Sequence, residues 1–345
     1  MHRRLRRGDA PAIRCIIFPL PPDRLQHDYE ESAMTLWPFR LNALEMKILH
    51  VQLLFATLLV ISTATTAIAH PGSGIAVDRR GYVYFVDTGS GVWTVDTGGK
   101  LARRDSPRFH WMAIDESERP LGSRLPAIQG GEVTAVGVNP TLLLSSDVPI
   151  AVGQDGALYY PEFGHDERLR IIRFTHSGVK SVRAILPSKA RGGVLRWING
   201  LALGADGSLY YTEDKAVRRI DERGLVSTLA ESIAVPKCAR IPGTESGSEP
   251  YLRGLAVAQD STVFVAASGC GAVLKITPGG KITTVLRTSS PWSPTAVAVS
   301  PMGLYVLEYL HTDVEDRQAW VPRVRRVFPD GRIVSVATVE RPKAH

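Results

Sequence analysis

Three glutamates close similar aromatic segments: Tyr159-Tyr160-Pro161-Glu162, Tyr210-Tyr211-Thr212-Glu213 and Tyr305-Val306-Leu307-Glu308. His165 and His311 each follow their glutamate by three residues. Carboxylates and imidazoles brought to one point can hold a divalent cation. Carboxylate and carbonyl oxygens favour Ca²⁺ or Mg²⁺, and added imidazole favours Zn²⁺. Such an ion polarises a carbonyl and lowers the pKa of a water nucleophile. The same residues also have ordinary readings. A carboxylate at a strand end caps a turn by accepting its N–H groups, and a histidine in a polar loop stays solvated. Trp111, Trp197 and Trp292 each stand beside the start of an apolar alternation. They read either as core aromatics or as a ring around a pocket that stacks on a planar or sugar-like ligand.

What must position these residues is a repeat. An apolar alternation, a turn and an aromatic strand run from Ile75 through Gly81 to Asp87. The unit recurs from Ile150 to Glu162, Leu201 to Glu213, Leu255 to Ala267 and Val297 to Glu308. The second half of the unit keeps identical offsets: Val92, Val95, Gly99; Ile171, Phe174, Gly178; Val217, Ile220, Gly224; Val273, Ile276, Gly280; Val324, Val327, Gly331. Alternation at period two places one face of a strand in a core. Asp-Gly and Gly-Gly supply the positive φ of tight hairpin turns. Each unit therefore reads as a four-stranded antiparallel meander, which needs neighbours to bury its faces, and radial stacking of such sheets is a β-propeller.

First strands begin near Ile75, Met112, Ile150, Leu201, Leu255 and Val297. That makes six blades over residues 70–340, at about 45 residues each. The second unit is degenerate, with later strands expected near 124–128, 133–138 and 142–145. The chain begins on a first strand and ends on a fourth, so the ring closes by blade packing rather than by a strand-exchanged blade. Residues 341–345 form a tail.

In a meander, the loops before strand 1 and between strands 2 and 3 share one face of the ring, here called the mouth. Glu162, Glu213, Glu308, His165, His311, Trp111, Trp197 and Arg253 all belong to those connections. A small-molecule or protein ligand at the axis is the partner this arrangement suggests, taken up by a monomer. Cys238 and Cys270 lie in loops that open on the same face. In an oxidising compartment they read as a disulfide, with free thiols as the alternative.

The string Gly74 to Asp78, continued by Gly81 to Gly89, resembles the NHL repeat, and the likeness runs through 70–340. Ile198-Asn199-Gly200-Leu201-Ala202-Leu203, followed by Asp206-Gly207-Ser208-Leu209-Tyr210-Tyr211-Thr212-Glu213, is similar to a metal-site segment of the gluconolactonase (senescence-marker-protein) family. That family comprises six-bladed propellers that bind a divalent cation at the axis and hydrolyse lactones or related esters. The resemblance implies Asn199 as a metal ligand, beside Glu162, Glu213 and Glu308. Two positions depart from the family pattern. Arg253-Gly254 stands where the family has Asp-Gly, and Ser73-Gly74 stands where it has its first-blade Glu.

Ahead of the repeats, Lys47 precedes an apolar run from Val51 to Ile61, and small residues close on Ala67-Ile68-Ala69. This is the layout of a secretory signal at 46–69 with cleavage before His70. It implies an exported, periplasmic or extracellular protein with no membrane span after cleavage. An uncleaved anchor is the alternative, disfavoured by the short apolar run. Residues 1–45 are Arg- and Pro-rich without periodicity. They read as a non-native extension ahead of a start at Met46, or as a disordered leader. The chain carries +7 overall, but its basic residues are scattered rather than gathered in a nucleic-acid arm, which argues against nucleic acid as a partner.

Two functions follow. One is a metal-dependent lactonase or ester hydrolase at the axial mouth, which requires Glu162, Asn199, Glu213 and Glu308 to reach one point. The other is a non-catalytic propeller binding a protein, peptide or glycan, which an apolar or arginine-filled mouth would favour.

Overall fold

The computed structural model describes residues 71–340, apart from 105–108, 118, 120–122, 124, 129–130, 138, 147, 188–197, 239–240, 242–249 and 312–319. The leader and signal readings and Trp197 lie outside the described residues. Among the described residues, no helix is long and apolar enough to cross a membrane.

The chain is a six-bladed β-propeller of four-stranded antiparallel sheets. Blade 1 holds β1 (Ile75–Val77), β2 (Val83–Asp87), β3 (Gly91–Val95) and β4 (Leu101–Arg104). Blade 2 holds β5 (Trp111–Asp115), β6 (Ala127–Ile128), β7 (Gly131–Val136) and β8 (Thr141–Ser145). Blade 3 holds β9 (Ala151–Val152), β10 (Leu158–Phe163), β11 (Leu169–Phe174) and β12 (Lys180–Ile185). Blade 4 holds β13 (Ile198–Leu203), β14 (Leu209–Glu213), β15 (Ala216–Ile220) and β16 (Val226–Ala230). Blade 5 holds β17 (Leu252–Val257), β18 (Val263–Ala267), β19 (Ala272–Ile276) and β20 (Ile282–Arg287). Blade 6 holds β21 (Trp292–Ser300), β22 (Gly303–Leu310), β23 (Pro322–Val327) and β24 (Ile333–Thr338).

The second strand of a blade shows why period-two alternation demands a ring. In β14, Leu209 and Tyr211 pack into the core shared with blade 3, while Tyr210 packs into the core shared with blade 5. In β2, Val83 and Phe85 face blade 6, while Tyr84 and Val86 face blade 2. Both faces of these second strands are therefore apolar, and six cores of described residues lie between the six blades. Burying a large apolar side chain contributes about 1.5–3 kcal/mol, so these interfaces carry most of the stability. The ring closes where blade 6 meets blade 1. Tyr309 is fully buried there and donates from its hydroxyl to the Val86 carbonyl at 2.7 Å. Each terminal blade is built from contiguous chain, so no strand is exchanged across the closure.

Blade 2 corrects the expected meander. Its order is β5-β8-β7-β6, so the last strand in sequence lies beside the innermost one. Met112, Ala113 and Ile114 pair with Leu144, Leu143 and Leu142. The physical reason is burial. Leu142, Leu143 and Leu144 are essentially inaccessible and fill the second-strand position on both faces. The two-residue β6 has little to bury and takes the edge.

Candidate functional site

The mouth is built by irregularities at the start of the innermost strands. Pairing slips between Ile198 and Gly200 in β13, between Leu252 and Leu255 in β17, and between Pro294 and Ala296 in β21. Asn199, Arg253 and Thr295 therefore sit at bulges, which re-aim a side chain out of the regular pleat. Asn199 and Arg253, expected in connections, are in fact strand residues. The glycine after each has a packing cause. A Cβ on Gly200 would come within 2.6 Å of the Arg253 carbonyl oxygen, and one on Gly254 within 2.8 Å of Ala296 Cβ. Neighbouring inner strands approach too closely there for any side chain.

Two side chains cross the mouth, each skipping a blade. Arg253 of blade 5 is buried and donates from Nη2 to the Pro71 carbonyl at 2.5 Å, ahead of blade 1. Trp111 of blade 2 donates from its indole Nε1 to the Asn199 carbonyl of blade 4 at 3.4 Å. The Arg253 guanidinium also lies 6.0 Å from the Tyr251 ring centroid, and its backbone carbonyl accepts from Thr212 Oγ1 at 3.1 Å. The mouth thus holds a guanidinium and an indole.

The glutamates pair within their own blades. Lys180 Nζ reaches both oxygens of Glu162 at 2.7 Å. Buried Glu213 faces Arg218 Nε at 3.4 Å. Glu308, fully buried, takes Arg323 Nε at 2.5 Å and Arg325 Nη2. Arg323 in turn stacks on Trp292, 3.8 Å from the ring centroid. These cations come from third and outermost strands, so each pairing spreads along a blade rather than toward one axial point. Among the described residues no group of three or more His, Cys, Asp or Glu is placed to hold a metal ion. Each of Glu162, Glu213 and Glu308 thus has a basic partner within its own blade.

His165 is exposed in the turn after β10, where Gly164 N–H bonds the Arg168 carbonyl. Next to it Asp166 is held at a pKa of about 2, chiefly by hydrogen bonds from Arg170. His311 is buried with its ring 6.2 Å from that of Trp320. Cys238 and Cys270 form a disulfide that joins the connection after blade 4 to a single 3₁₀ turn, Ser268–Cys270. The cations Lys180, Arg218, Arg323 and Arg325 escaped the sequence reading. Their signal was present: Arg323 and Arg325 alternate on a third strand, and Glu308 of the second strand pairs in register with Arg323.

No protein-family model matches the chain, and no curated protein matches it. Solved structures are similar at low identity. A virginiamycin B lyase from Staphylococcus aureus shares 17% identity at a TM-score of 0.44, covering 78% of this chain and 85% of that one. A calcium-binding regucalcin from Agrobacterium tumefaciens shares 15% at 0.44, covering 70% and 84%. A gluconolactonase from Xanthomonas campestris shares 14% at 0.44, covering 68% and 82%.

Proposed function

We propose that this chain is an exported, non-catalytic propeller that binds its ligand on the mouth face, as a monomer. The observation that carries this reading is Arg253, a buried guanidinium where a metal-dependent hydrolase of the resembled family would need a carboxylate. The pairing of Glu162, Glu213 and Glu308 with basic residues of their own blades supports it further.

A metal-dependent lactonase or ester hydrolase is the competing reading, and Asn199 is the residue that favours it. Its amide would have to act at a mouth already crossed by Arg253 and Trp111.

Elemental analysis of the purified protein, with a lactone and ester hydrolysis assay before and after chelation, decides between them. The binding reading expects no stoichiometric divalent metal, no turnover and a melting temperature unmoved by chelator. Bound metal lost on Asn199→Ala, with turnover lost alongside, overturns it. For export, N-terminal sequencing of the secreted form is expected to begin at His70; an intact Met46 would contradict cleavage.

A further inference from the structure

Away from the axis, the mouth face carries a cleft of about 780 Å³ where the loops of blades 4 and 5 meet. That volume lies within the usual range for ligand pockets. One wall is the hairpin end Glu213–Ala216 with Arg218. The other is the connection 231–235, closed by Cys238, Pro250 and Cys270.

The connection is held at three separate points. Ile233 N–H bonds the Lys215 carbonyl at 2.9 Å, Arg287 Nη2 bonds the Pro236 carbonyl at 2.6 Å, and the disulfide anchors Cys238. Ser232 and Lys237 take left-handed backbone, with φ of 51° and 52°, to turn the chain between those points. A wall tethered this way is preorganised, which lowers the ordering cost of binding.

The chemistry inside is mixed. Ala216, Ile233, Val235 and Pro250 line the cleft as buried residues, and Ala234 is its exposed apolar side chain. Glu213, Asp214 and Glu231 supply three carboxylates against two cations, Arg218 and Lys215. Arg218 is committed at every nitrogen: Nε to Glu213, Nη1 to Thr228 Oγ1, and Nη2 to Glu231 at 3.0 Å. It therefore offers little to an incoming anion. Glu231 remains largely exposed at the rim, its side chain 62% accessible.

We propose that this cleft is the ligand pocket and that it takes a basic side chain of a peptide. The apolar stem of a lysine or arginine would lie along Ala234, with its charged head at Glu231. The assignment rests on the binding reading above and names its partner class.

The test is fluorescence polarisation with a dye-labelled acetyl-Leu-Lys-Leu amide and its Leu-Glu-Leu counterpart, against the wild type, Glu231→Lys and Ala234→Trp. Residues 231 and 234 are both exposed, so both variants are expected to keep the wild-type melting temperature. The lysine peptide should bind the wild type and weaken with salt, and each variant should lose at least about tenfold in affinity. Absent binding, or binding unmoved by both variants, overturns the pocket. Preference for the glutamate peptide, still blocked by Ala234→Trp, overturns the basic-ligand assignment and leaves the binding reading standing. Metal-dependent hydrolysis in the assay above overturns the binding reading independently of either peptide.

Discussion

Arg253 Nη2 donates to the carbonyl oxygen of Pro71 at 2.5 Å, joining residues 182 positions apart across the mouth of the ring. The bond ties the segment ahead of blade 1 to blade 5 without passing through blade 6. Arg253→Ala leaves the Pro71 carbonyl without this donor. The expected loss is about 1.5–3 kcal/mol, as for a hydrogen bond to a charged group. Urea unfolding measures it. If the arginine is also what excludes cations, Arg253→Asp gains affinity for Ca²⁺ where the wild type has none, read by calorimetric titration.

The three glutamates should rank by burial. Glu308→Gln leaves Arg323 and Arg325 facing a neutral amide in a buried site, and about 3–5 kcal/mol should be lost. Glu162→Gln breaks a pair whose lysine is 47% exposed, and should cost no more than about 1 kcal/mol. Equal effects at the two positions, by denaturant midpoint, would contradict the pairings described.

Asp115 supplies a pH dependence. Burial pushes its carboxyl up, but hydrogen bonds from Ser117 and Arg119 outweigh that and hold it below the ordinary aspartate range. A folded-state pKa below the unfolded one adds stability that is complete above the unfolded value of about 3.9 and is lost as pH falls through the folded value. Asp115→Asn should therefore be less stable than wild type at pH 7. The gap in melting temperature should narrow below about pH 4. A gap that stays constant down to pH 2 would remove Asp115 as its source.

The disulfide closes a loop between cysteines 32 residues apart. By chain entropy such a closure contributes about 3–4 kcal/mol. The Cys238→Ser, Cys270→Ser double variant should lose an amount of that order in guanidinium unfolding. It should also weaken any ligand held in the cleft that the disulfide walls. Wild-type stability in the double variant would mean that the Ile233 and Pro236 tethers suffice.

Much of the architecture is written locally in the chain. Blade count follows from the six first strands between Ile75 and Val297, five of them backed by the offset Val92-Val95-Gly99 and its copies, because period-two burial and tight-turn glycines depend only on near neighbours. The faces of Tyr210 and Tyr211 follow from the same alternation. Tertiary structure alone decided what depends on distant partners. Leu142–Leu144 displaced the expected second strand of blade 2 because their burial outweighed chain order. Glu162, Glu213 and Glu308, alike in sequence, became different ion pairs because each blade offers a different cation from its outer strands. Arg253, readable only as a departure from a carboxylate pattern, became a strut because the Pro71 carbonyl lies within its reach. A mouth suited in composition to metal chemistry thus carries a buried guanidinium, since pairing is set by which side chains meet in space rather than by their spacing along the chain.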